Sequence, residues 1–237
     1  MAYLDTLGEL ILIFSLLAFV INVNKSSSFE SPFRPLLTMA LLFIVITASF
    51  GAARFAGINQ IVPAHDFLSL ISAKFAMVIY VFSLPMVMLS YARSRSSYSA
   101  IGDAESSSNL STRKELANGQ LSKQGVVKIA KGAMIFLLTF NFLTISFSIE
   151  TNKLITDVSI VVGFVLFSLV AKEKGLVYLS IVTLLLVPAS TALHISDDLS
   201  MAIFHLLLAA HFLLINRVFT LEQAQPSFNE VGEQNRL

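Results

Sequence analysis

Seven apolar stretches of sixteen to twenty-six residues, separated by polar breaks, constrain this chain more than any motif in it. They cover residues 7–23, 36–58, 66–91, 127–149, 155–170, 176–193 and 199–218. A helix needs about 20 predominantly apolar residues to cross hydrocarbon about 30 Å thick. Only helices or closed barrels satisfy every backbone polar group there. The stretches therefore predict an all-α, polytopic membrane protein, a bundle of seven transmembrane helices. Only 13% of the residues are charged, about half the share of a soluble domain.

The charges fall mostly between the stretches, and they divide the chain. Residues 1–91 hold helices 1–3, 92–126 form a Ser-rich, flexible cytoplasmic loop, 127–218 hold helices 4–7, and 219–237 form a disordered cytoplasmic tail. The breaks after helices 1, 3 and 5 and the C-terminus carry Lys25, Arg34, Arg93, Arg95, Arg113, Lys114, Lys172 and Lys174 among others, against Lys153 on the alternate side. The positive-inside tendency then places the N-terminus outside and the C-terminus in the cytoplasm. The first residues lack the basic region of a signal peptide, so the first span is expected to remain in the mature protein. There is no cysteine, which excludes disulfides, thiolate metal sites and a cysteine nucleophile. A net charge of +1 without basic or aromatic interleaving argues against a nucleic-acid partner. The absence of cysteine and the modest length point to a bacterial inner membrane.

Ionisable residues within the spans are the candidates for function, because each needs a partner or water in hydrocarbon. Helices 2 and 3 carry Arg54, His65 and Lys74 around the short turn 59–64. The predicted topology adds Glu9, Asp66, Asp157, His194 and His205 to the same outer half. If the helices pack around one cavity, its floor is polar and its walls apolar, a space suited to a lipid or small amphiphile. Asn141, in the middle of helix 4, is expected to bond across a helix pair or to line that cavity. Ser49, Ala53 and Gly57 stand four apart, a small-residue ridge for close helix contact within the chain or in a homo-oligomer.

Three chemical readings arise from these residues. Arg54 and Lys74, with Glu9, Asp157 and Asn141, form a site for an anionic head or carboxylate in a noncatalytic protein whose partners are membrane lipids. His65, His194 and His205 with Asp66 form a zinc site able to activate water, although no HExxH motif is present. Histidines on facing helices can also ligate haem: His65 with His194 or His205 makes an outer pair, while His211 has no evident inner partner. A retinal protein is disfavoured, since Lys74 lies in the third helix rather than the last.

Seven spans, an outside N-terminus and membrane histidines resemble the seven-helix hydrolases that include the alkaline ceramidases. That resemblance implies zinc-dependent amide hydrolysis of a lipid. The family's last helix carries two histidines four apart, whereas His205 and His211 are six apart and about 120° off each other's face. No specific catalytic arrangement is present, so ligand binding or a role in membrane assembly is the expected function.

Overall fold

The computed structural model describes residues 2–25, 31–102, 110–147, 153–192 and 197–224. Among the described residues there is no strand, and the α-helices are α1 (Ala2–Lys25), α2 (Arg34–Phe55), α3 (Val62–Ile71), α4 (Met77–Gly102), α5 (Leu110–Ser146), α6 (Lys153–Val170), α7 (Lys174–Ala192) and α8 (Asp197–Ala224). A π-helical turn, Ser72–Ala76, joins α3 to α4, so the two form one interrupted rod. Five stretches are long and apolar enough to cross a membrane: Tyr3–Lys25, Arg34–Phe55, Asn59–Ser90, Gln124–Ser146 and Leu199–Ala224. Two shorter apolar helices, Asp157–Val170 and Lys174–Val187, accompany them. By length and composition this is an integral membrane protein.

The side chains are sorted as lipid requires. Phe14, Met39, Phe136, Phe142 and Leu169 point outward, a distribution that a soluble monomer avoids. Inside, α8, α1, α2, α4, α6 and α7 pack in succession into a closed ring, and α5 lies against α4 and α6. Buried aromatic rings fill the middle, with Phe19 edge-on to Tyr80 and to Phe219. At one end α1 and α8 are clasped by the Asn22 amide, which donates to Asn216 Oδ1 at 2.7 Å and Thr220 Oγ1 at 3.0 Å.

Close helix approach depends on two glycines in this ring. Gly8 of α1 lies where a Cβ would stand 3.1 Å from the Cβ of His205. Gly163 of α6 sits on Val81 of α4, and a Cβ there would overlap Val81 Cγ1. Valine has a stiff χ1 and cannot swing aside cheaply. Gly163→Ala is therefore expected to destabilise the bundle by about 1–3 kcal/mol. Gly132→Ala, where a Cβ meets nothing within 4 Å, is expected to be neutral or slightly stabilising. Thermal unfolding of the two variants in detergent checks the contrast.

Three local features differ from the sequence expectation. First, α2 ends at Phe55 in a glycine cap: Gly57 has φ +97°, its N–H donates to Arg54 O, and the Ile58 N–H donates to Ala53 O. This paired bonding pattern satisfies carbonyls at the helix end. Gly57 therefore stands outside the helix and does not continue a ridge with Ser49 and Ala53. Ser49 is exposed and donates to its own Val45 carbonyl. The small buried residues of α2 are Ala40, Ala48, Gly51 and Ala52.

Second, helix occupies much of the segment read as a loop, since α4 runs to Gly102 and α5 begins at Leu110. Once nucleated, a helix extends at little cost through residues that are ordinary helix formers, such as those at 113–117. At 37 residues, α5 is about 55 Å long and exceeds the hydrocarbon thickness. Third, the rod of α3 begins at Val62, with a proline in its first turn, four residues earlier than expected.

Candidate functional site

α1 presents one face to the bundle, with Asp5, Glu9, Leu12, Leu16 and Phe19 buried at helical spacing. That face meets α8, and the Glu9 carboxylate lies 3.1 Å from His205 Nε2. The carboxylate rests over Gly51 of α2: a Cβ there would overlap Glu9 Oε1 and stand 3.2 Å from His65 Nε2. The missing side chain at Gly51 is what allows groups from α1, α2, α3 and α8 to share one place.

On the outward side of Gly51 the Arg54 guanidinium donates from Nη1 to Asp66 Oδ1 at 2.9 Å. The same nitrogen lies 3.1 Å from His65 Nδ1. A guanidinium only donates, so Nδ1 accepts in that contact, and Nδ1 also lies 3.4 Å from Asp66 Oδ1. Ser69, one turn on, approaches His65 Nε2 at 3.4 Å. The Arg54 group also stands 5.8 Å above the Phe55 ring, within the range of a cation–π contact.

Burial deepens steadily along this set. Side-chain exposure falls from 61% at Asp66 to 37% at Arg54, 14% at His65, 7% at His205 and 4% at Glu9. The rim is open to solvent or headgroups, and the floor is sealed. Among the described residues His205 Nδ1 meets no hydrogen-bond partner, and its ring stands edge-on to those of Phe55 and Phe204. The Glu9 carboxyl is thus the polar group that His205 meets, through Nε2.

Comparison with known protein families, with curated proteins and with solved structures finds no match to this chain.

The structure thus gathers Glu9, Arg54, His65, Asp66 and His205 at one end of the bundle. Lys74, Asn141 and Asp157, also named from the sequence, stand elsewhere in the bundle. Lys74 falls in the π-helical turn, about 13 Å of helix rise from His65. Its carbonyl accepts a 2.5 Å bond from the Asn141 amide of α5, the cross-helix bond expected of a mid-span asparagine. A π turn shifts the local bonding register, and Asn141 satisfies an oxygen there. Asp157 is exposed on α6, which packs against α4, α5 and α7. His194 lies outside the described residues. Among the described residues no three His, Asp or Glu side chains stand close enough together to hold a metal ion.

His211, for which no second axial histidine was evident, is hydrogen-bonded to Tyr80 and Ser180. Tyr80 Oη lies 3.1 Å from Nε2, and Ser180 Oγ lies 2.7 Å from Nδ1. All three residues are fully enclosed, with the rings of Phe164 and Phe212 against the imidazole. The two histidines of α8 therefore serve separate clusters, one at the end of the bundle and one in its middle. Asp5 and Ser69 were legible as neighbours one turn from Glu9 and His65. Tyr80, Ser180 and Gly51 carried no such signal, because nothing local distinguishes them from ordinary span residues.

Proposed function

We propose that the protein is a noncatalytic, seven-span membrane protein that binds the polar head of a lipid or small anionic amphiphile at the Arg54 end. The single observation that carries this reading is the graded cluster around Gly51. A cation at the rim, more than a third exposed, is backed by hydrogen-bonding groups from three other helices: His65 of α3, Glu9 of α1 and His205 of α8. Ionisable groups inside a bundle are expensive and mark function more often than packing. Phe67 and Leu70 are exposed beside the rim on α3 and offer apolar surface to the chains of an amphiphile. In this reading α6 and α7, of 18 and 19 residues, complete the seven spans at about 27 Å and 28 Å each. The charge asymmetry of the loops supports an orientation with the N-terminus and the Arg54 end outside, in a bacterial inner membrane.

The test is lipid-dependent thermal stability of the purified protein in detergent. An anionic phospholipid at a hundredfold excess over its dissociation constant is expected to stabilise the wild type by about 2.7 kcal/mol. Arg54→Gln is expected to lose most of that gain while keeping its lipid-free stability, because the side chain is more than a third exposed. Equal stabilisation of the two proteins would overturn the proposal.

A further inference from the structure

We infer that Asp66 sets the charge class of the head accepted at Arg54: it admits a singly charged phosphodiester and disfavours a doubly charged phosphomonoester. The inference rests on the reading above and deepens it. A guanidinium carries five N–H donors in a planar fork. The hydrogen bonds of Arg54 within the described residues run from Nη1 alone, to Asp66 and His65. The edge formed by Nη2 and Nε is left for a ligand, and that edge matches two phosphate oxygens at once.

What stands behind the open edge is negative. The Asp66 carboxylate is 2.9 Å from Nη1, and the Glu9 carboxylate lies beyond His65 over Gly51. One cation thus faces two carboxylates, with the His65 ring between Arg54 and Gly51. A head with one negative charge gains the fork and meets a modest repulsion from Asp66. A second charge on the same head adds repulsion without adding donors. Selectivity by a built-in repulsive group is a common device. Asp66 is 61% exposed, so the dielectric around it is close to that of water, and for charges about 5 Å apart the repulsion then amounts to a severalfold to about tenfold difference in affinity.

The experiment titrates the full-length protein in detergent with two lipids of matched chains, phosphatidylglycerol and phosphatidic acid, and reads the dissociation constant of each from the thermal shift. The wild type is expected to bind the diester severalfold to about tenfold more tightly at pH 8, where the monoester is largely doubly charged. Asp66→Asn, an exposed and conservative change, is expected to improve the monoester by about tenfold and to close the gap. Dimethyl phosphate, which has no chains, distinguishes the sources. If it displaces phosphatidylglycerol, a free phosphodiester is also a ligand; if it does not, the lipid is the ligand, and the diester preference stands in both cases. Equal affinities in the wild type, or a gap unchanged by Asp66→Asn, would overturn the inference and leave lipid binding intact. No shift with either lipid would overturn both. The order of the two lipids on the wild type needs no variant, so the inference does not depend on how Asp66→Asn folds.

Discussion

His205→Leu is expected to destabilise the protein by about 2–4 kcal/mol, the loss that follows when a buried carboxyl group is left without its hydrogen-bond partner. The Glu9 side chain is 4% exposed and His205 is 7% exposed, so water cannot replace the lost imidazole. The Glu9 carboxyl then loses the group that lies 3.1 Å from it. A second substitution separates this account from simple loss of packing. Glu9→Leu made together with His205→Leu removes the stranded carboxyl and is expected to recover much of the stability, as buried pairs replaced by apolar groups often do. Unfolding midpoints in detergent for the wild type, the single variant and the double variant decide the point. A double variant as unstable as the sum of its parts would show that shape, not hydrogen bonding, governs the contact.

His211→Leu is expected to cost about 2–4 kcal/mol, because it strands two enclosed hydroxyls at once. Tyr80 Oη and Ser180 Oγ both face the imidazole, and the surrounding rings of Phe164 and Phe212 offer them no substitute. The figure lies below the sum of two full penalties, since chains unfolded within a membrane also find polar partners. Tyr80→Phe removes only the bond to Nε2 and is expected to cost about 1 kcal/mol. The order His211→Leu, then Tyr80→Phe, measured by unfolding in one detergent, checks that the imidazole is the hub joining α4, α7 and α8.

The two clusters differ in how far they were legible in the sequence, and the reason is distance along the chain. Arg54, His65 and Asp66 flank one short turn, so two helices that meet at that turn must bring them together. Glu9 and His205 are separated by most of the chain. Their meeting depends on α1 packing along α8, which hydropathy does not reveal, although Gly8 and Asp5 mark the same face of α1. Tyr80 and Ser180 read as ordinary residues of apolar spans, and only the ring of helices closes them around His211.

The helices themselves were legible where hydrocarbon dictates the pattern and less so elsewhere. Arg34–Phe55 and Leu199–Ala224 follow directly from apolar length. Residues 92–102 and 110–126 are polar, so no buried face signals their helix, yet α4 and α5 continue through them. The end of α2 was misplaced because Gly57 was counted as a small packing residue. Its positive φ makes it a helix stop.

The most direct test of the account is native mass spectrometry of the protein released from its own membrane, with Arg54→Gln beside it. The account predicts one phospholipid retained on the wild type through detergent exchange and lost from the variant. A wild type that retains no lipid, or two proteins that retain it equally, would contradict a head-binding site at Arg54.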